Sequence, residues 1–414
     1  MNKKIKIFTI SDHPLSPSGV GTQTKYMIEG LLKTGRFQVI SLGGAIKHEK
    51  YQPMKTEEWG DDWTIFPVDG YGNPDIIRSV IRNEKPDVLW FMTDPRFFGW
   101  LWKMEDEIRP LIPMVYYHVW DNYPAPKFNR IFYDSTDVVV TISRLTDEIT
   151  NIVSEKAEVI HHPHAVNTNI FKKISAGEIA EFKTSALGPE ANKKMIFFWN
   201  NRNARRKQSG TLIYWFKDFL DRVGQDKATL VMHTDPKDVH GQNLEAIMAE
   251  LSLTDGQVLL SKDKVAPEML ANLYNMADCT INISDAEGFG LATLESLACE
   301  TPIIVTMTGG LQEQVTDGEN WFGFGLEPSS KAVIGSQDIP WIYEDRISGP
   351  EFVDTLEKFY NLTPKQRTAL GRAGKKHVMD NYGFEQYETG WDKILTAVHE
   401  KHGSWETRKN YSCW

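Results

Sequence analysis

Residues Asp285 to Pro302 read DAEGFGLATLESLACETP and directly follow the apolar run Thr280–Ile283. The order is a strand, a turn supplied by Gly288 and Gly290, and a helix from about Leu291 to Cys299. Such a helix aims its first backbone amides at the carboxyl edge of a parallel sheet, where ligands bind in doubly wound α/β folds. Glu287 falls in the turn and Glu295 on the helix. Eight residues at about 1.5 Å each span about 12 Å, which suits two ends of one elongated ligand better than one acid–base pair. Carboxylates accept hydrogen bonds from hydroxyl groups, so a polyhydroxylated ligand is the natural partner. A polar helix position without a ligand is the plain alternative for Glu295.

Strand-like runs recur upstream at Ile5–Ile10, Phe37–Leu42, Val88–Met92, Met114–His118, Val138–Ile142 and Val159–His161. Several are almost wholly apolar, as expected of parallel strands buried on both faces. A second series follows at Met195–Trp199, Thr229–Met232, Val258–Leu260, Thr280–Ile283 and Ile303–Thr306. Between the series, Asn169–Lys194 is weakly patterned, carries Gly177, Gly188 and Pro189, and reads as a linker. The pattern predicts two Rossmann-like doubly wound domains, over 1–175 and 192–383. A last helix, Phe384–His399, is expected to cross back, so that 384–414 completes the first domain.

Length and composition agree with this division. A chain of 414 residues suggests two or three domains. With 46 basic against 56 acidic residues the net charge is −10, which disfavours sequence-independent nucleic-acid binding. Three cysteines make no disulfide framework and no metal knuckle, as expected of a reducing, cytoplasmic compartment. No apolar run approaches the roughly 18 residues of a membrane span. The N-terminal stretch MNKKIKIFTISDHP is too briefly apolar for a signal segment and reads as the first strand.

The first strand leads into SDHPLSPSGVG, Ser11 to Gly21, and then a helix. Gly19 and Gly21 suit a phosphate-approaching loop, or simply a tight turn. Thr24 stands where a dinucleotide fingerprint has its third glycine, and Ser41-Leu42-Gly43 replaces the acid after the second strand. Nicotinamide dinucleotides are therefore disfavoured, and the absence of a P-loop disfavours ATP.

EGFGLATLE (Glu287–Glu295), followed by SLACETPIIVTMTGGLQEQVTDG, resembles the signature of retaining GT-B glycosyltransferases of glycosyltransferase family 4. Other segments resemble that family in order: Gly19-Val-Gly21, VTISRL (Val140–Leu145), IHHPHAVNTNIF (Ile160–Phe171) and WNNRNARRK (Trp199–Lys207). Ser18 departs from the usual first glycine and Asn167 from the usual aspartate. Residues 332–350 and the C-terminal tail match nothing.

The resemblance implies two Rossmann-like domains facing an inter-domain cleft, with the acceptor on the N-terminal side and the donor on the C-terminal side. It implies transfer of a sugar from a nucleotide-diphospho-sugar to a hydroxyl of a glycan or other acceptor, with retention and without a metal or other cofactor. Arg202 and Lys207 would stabilise the departing diphosphate, and Arg205 or Arg206 could share that role. Glu287 would hold sugar hydroxyls, and Glu295 the ribose. Gly288, Phe289, Gly290 and Leu291 would contact the donor through the backbone, Gly19 and Gly21 would approach the diphosphate, and His118 would touch the donor sugar. An epimerase or hydrolase on the same fold, and a non-catalytic glycan-binding protein, are the alternatives.

Other features carry less. His161, His162 and His164 point to opposite faces if extended, which disfavours a shared metal. Six of 13 tryptophans lie between Trp59 and Trp120 and are expected mostly in the core. FFGWLW (Phe97–Trp102) could touch a lipid surface weakly, although the net charge and lack of a polybasic cluster argue against tight binding.

Overall fold

The computed structural model describes residues 3–413. The chain divides into two compact units. Residues up to 165, with 335–342 and 384 onward, form the first; 166–334 and 343–383 form the second.

In the first unit the order is β1 (Ile5–Asp12), α1 (Gly19–Lys33), β2 (Phe37–Gly44), β3 (Met54–Lys55), β4 (Trp63–Pro67), α2 (Pro74–Glu84), β5 (Val88–Met92), α3 (Gly99–Trp102), α4 (Glu105–Ile108), β6 (Met114–His118), α5 (Arg130–Asp134), β7 (Val138–Thr141), α6 (Arg144–Val153) and β8 (Glu158–His161). The strands form one sheet in the order β3-β4-β2-β1-β5-β6-β7-β8. All neighbours are parallel except β3 and β4. The strand order reverses beside β1, so the loops after β1 and β5 flank the crevice at the carboxyl edge.

The second unit contains α7 (Ala176–Leu187), β9 (Met195–Asn200), α8 (Ser209–Val223), β10 (Ala228–His233), α9 (Leu244–Glu250), β11 (Val258–Ser261), α10 (Pro267–Met276), β12 (Cys279–Asn282), α11 (Leu291–Ala298), β13 (Ile303–Thr306), α12 (Leu311–Val315), β14 (Gly323–Leu326), β15 (Ser330–Ile334), β16 (Ile342–Arg346), α13 (Gly349–Tyr360) and α14 (Pro364–Asn381). Its sheet is β11-β10-β9-β12-β13-β14, parallel throughout, with β15 and β16 paired separately. Here the order reverses between β9 and β12, which places the loops 201–208 and 283–290 side by side at the carboxyl edge.

Each unit has its own apolar core. Phe8, Leu89, Phe91, Phe98, Trp102 and Tyr116 form part of the first, and Phe197, Trp199, Leu212, Phe216, Ile281 and Leu356 part of the second. The last helix, α15 (Phe384–His402), packs within the first unit. Trp391 meets Trp90 and Tyr117 edge-on, at ring separations of 5.8 and 4.8 Å. Gly30 lets α15 approach α1, since a Cβ there would lie 2.8 Å from Glu388 Cγ.

Two expectations change, and one unassigned stretch gains a structure. The linker contains α7, started by a capping box between Ser175 and Glu178. Lys183 is its one buried residue, so the helix lacks the apolar periodicity by which helices are read. The stretch 332–350 contributes to the β15–β16 hairpin. FFGWLW is largely core: Phe98, Leu101 and Trp102 are buried, and Phe97 is the exposed aromatic at 51%. That removes most of the apolar surface a lipid contact would need. Trp63, Trp90, Trp102 and Trp120 are also buried.

Candidate active site

The clearest constellation lies in the second unit, between the loops after β9 and β12. Lys207 ends a 3-10 turn, Arg205–Lys207, and is buried. Its ammonium forms an ion pair with the Glu287 carboxylate. Asn282, at the end of β12, donates to Glu287 Oε2 at 3.3 Å. Arg206 donates to the Ala286 carbonyl, and Asp285 N donates back to the Arg206 carbonyl at 2.8 Å. Burial alone would raise the Glu287 carboxyl, but Lys207, Arg206 and Asn282 outweigh it and hold the group below its ordinary range.

Gly290 starts α11 in the left-handed region, at φ 95°, and no side chain caps the helix. The first amides of the helix therefore remain available to an anion. Phe289 is buried against Tyr382, and its carbonyl accepts from Gln314 at 2.7 Å. The Gly309-Gly310 pair packs backbone to backbone on this loop. Gly310 N donates to Glu287 O at 3.0 Å, and a Cβ on Gly309 would fall 1.8 Å from the same oxygen. The paired glycines thus fix the Glu287 main chain from behind.

Glu295 sits on α11 in the opposite electrostatic setting. Tyr274 donates to its Oε2 at 2.7 Å and itself accepts from Asn200 at 2.8 Å. Burial pushes the Glu295 carboxyl up to about 7, and the Tyr274 hydrogen bond offsets only part of this. Two carboxylates driven apart in this way are a mark of sites that assign them different tasks. Asn200, Tyr274 and Asn282 were not singled out in the sequence, although polar residues closing strands β9 and β12 are the signal that would have found two of them.

Arg202 is placed differently from Lys207. It is 60% exposed and forks onto Asp238, with bonds of 2.7 and 3.2 Å, and its Nη2 also meets His240. The structure therefore brings Lys207 and Arg206, rather than Lys207 and Arg202, against the Ala286–Glu287 loop.

In the first unit one expectation is corrected. His118 is fully buried, with Nε2 at 2.7 Å from the Tyr133 hydroxyl and Nδ1 at 3.2 Å from the Tyr116 hydroxyl. Tyr116 spends its proton on the Thr93 carbonyl, so Nδ1 carries the histidine hydrogen and Nε2 accepts from Tyr133. Burial pushes its pKa down to about 3. A neutral ring with both nitrogens engaged is a packed residue, not one free to touch a sugar. The glycine loop is braced by local hydrogen bonds. Ser18 caps α1 by accepting from Gly21 N at 3.0 Å and donates to Asp12 Oδ2 at 2.6 Å. A Cβ on Gly21 would lie 2.6 Å from Ser16 Oγ.

Among the described residues no group of three or more His, Cys, Asp or Glu side chains is placed to share a metal ion. Two of the three histidines are engaged separately: His162 stacks on Tyr387 and His164 bonds Tyr117. No helix of the described chain is long and apolar enough to cross a membrane.

Comparison with known proteins bears on this site. Residues 181–377, which include both loops, match the family model for glycosyl transferases group 1. D-inositol 3-phosphate glycosyltransferase of Acidothermus cellulolyticus is 38% identical over 79 residues, 19% of this chain and 17% of that protein. The alignment thus spans well under half of that relative. Among solved structures, sucrose-phosphate synthase of Thermosynechococcus elongatus superposes with a TM-score of 0.77 at 16% identity, over 96% of this chain and all of that one. Anabaena Alr3699/HepE in complex with UDP and glucose gives 0.69 at 15% identity, over 95% and 100%. Residues 181–377 are accordingly similar to the group 1 glycosyl transferases, in a chain with the GT-B fold of two Rossmann-like units.

Proposed function

We propose that this protein is a retaining, metal-independent glycosyltransferase acting on a nucleotide-diphospho-sugar and an acceptor hydroxyl. The observation that carries the reading is the buried Lys207–Glu287 pair beside the uncapped start of α11. A diphosphate seated there meets backbone amides, the helix dipole and a fixed cation. Glu287 then faces the sugar and accepts its hydroxyls, while Glu295 accepts from the ribose. Arg206 lies against the same loop, and Arg202 reaches a phosphate by exchanging Asp238 for it. The solved complex of the similar HepE with UDP and glucose supports a nucleotide-sugar donor. In the step itself the bond from the anomeric carbon to the phosphate oxygen breaks and a bond to the acceptor oxygen forms on the same face. The acceptor's proton passes to the departing phosphate oxygen. Soluble, cytoplasmic action follows from the same reading.

A thermal-shift panel of UDP-, GDP- and ADP-sugars tests it. A ligand at 100 times its dissociation constant stabilises by about 2.7 kcal/mol. Stabilisation by one donor class, followed by product formation that requires an added hydroxyl acceptor, is the expected result. Donor breakdown or isomerisation at full rate without acceptor would replace transfer with hydrolysis or epimerisation.

A further inference from the structure

The β15–β16 hairpin lies in a stretch with no recognisable motif, yet β16 reaches both loops of the candidate site. Glu344 accepts a fork from Arg205, at 2.8 and 2.6 Å. Arg346 donates to Glu344 at 3.1 Å and pairs with Asp285 as well. The main chain repeats the link: Asp345 N donates to Asp285 O at 2.8 Å, and Asp285 N donates to Arg206 O at 2.8 Å. Gln208, just after the 3-10 turn, adds a bond to Asp285 Oδ2 at 2.6 Å. Glu344 and Asp285 are each 3% exposed, so neither carboxylate has water as an alternative partner.

The connectivity has a consequence. Arg205 is two residues before Lys207, and Asp285 is two residues before Glu287. A rigid tie between Arg205 and Asp285 therefore fixes how far apart Lys207 and Glu287 stand. We infer that Glu344 and Arg346 are positioning residues, forming an ionic strap that holds the Arg205–Lys207 turn against the Asp285–Glu287 loop in the geometry donor binding uses. This rests on the reading of Lys207 and Glu287 as donor-site groups. A hairpin that merely stiffened the domain edge would need no buried carboxylate shared between two arginines that lead to two different loops.

Two variants test the strap. Glu344→Gln keeps shape and removes charge; Arg346→Lys keeps charge and removes the fork. Hydrogen exchange of peptides covering 203–208 and 284–290 is compared with exchange in β9 and β12, in the full chain without ligand. Exchange in the two loops is expected to rise at least about tenfold in Glu344→Gln, less in Arg346→Lys, with the strands unchanged. Donor turnover in the same variants should fall roughly 10- to 100-fold, the size of effect that ångström-scale misplacement produces. Unchanged loop exchange, or loosened loops with unchanged turnover, would overturn the inference. A wild-type chain that turned over no donor would instead overturn the proposed function, and the exchange measurement would still decide whether the strap holds the loops.

Discussion

Lys207 and Glu287 stand 80 residues apart in sequence and form an ion pair with side chains only 9% and 13% exposed. The folded state keeps this carboxylate ionised because its cation is fixed beside it. A buried pair is costly to break from one side, since the survivor remains desolvated and unpaired.

Lys207→Ala is therefore expected to destabilise the fold by about 3–5 kcal/mol. Combined with Glu287→Gln, the loss should be smaller than the sum of the single losses, as measured by denaturant unfolding. Additivity within about 0.5 kcal/mol would mean the two are not coupled. Lys207→Ala should also lower turnover more than donor affinity, because charge on the leaving diphosphate grows in the transition state. Lost affinity at unchanged turnover would assign the lysine to uniform binding.

Glu295 sets a pH dependence of opposite sign to that of Glu287. Its carboxyl is raised to about 7 from an ordinary 4.5, so between these values the folded chain holds a proton that the unfolded chain has released. The stability tied to that proton is full below pH 4.5 and is lost as pH rises toward 7, a change of about 3 kcal/mol. Glu295→Gln should flatten this slope and weaken binding of bare nucleoside diphosphate, whereas Glu287→Gln should spare the bare nucleotide. An unchanged slope in Glu295→Gln would reassign it, and equal nucleotide losses in both variants would refute the separate placements.

His118 should behave as a structural residue. With its pKa pushed down to about 3, the ring stays neutral from pH 5 to 8. Its proton resonances should not titrate over that range. His118→Phe leaves the Tyr133 hydroxyl without its buried acceptor and should cost about 1–3 kcal/mol of stability. A loss of turnover with stability intact would restore a catalytic role.

Gly309→Ala is expected to cost at least about 2 kcal/mol and to abolish nucleotide binding. It combines left-handed strain, about 1–2 kcal/mol, with a clash against the Glu287 carbonyl. Gly256, also at positive φ but with open space around it, supplies the control. Gly256→Ala should show the strain alone. Equal effects in the two variants would mean that the contact with Glu287 is immaterial.

On the proposed function, turnover should survive EDTA, because Lys207, Arg206 and the α11 amides would supply the positive charge at the diphosphate. A loss restored only by Mn²⁺ or Mg²⁺ would show that these groups are insufficient.

Sequence patterning alone indicated the two α/β units, eleven of the sixteen strands among the described residues, and the loop carrying Glu287 and Glu295. Apolar runs such as Val138–Ile142 and Ile303–Thr306 leave little choice but buried parallel strands, and Gly288 and Gly290 mark the turn before α11. α7 escaped because an exposed helix needs no apolar stripe; its Ser175/Glu178 capping box was the signal available. Tertiary structure alone decided which charges meet. Arg202, Arg205, Arg206 and Lys207 are near-equivalent cations in the sequence, and only the fold assigns them to Asp238, Glu344, the Ala286 carbonyl and Glu287. It also buried His118, a strand-end residue that periodicity cannot distinguish from an exposed one. Periodicity reports which face of an element is apolar, whereas the partner of a polar group depends on which loops the strand order brings together.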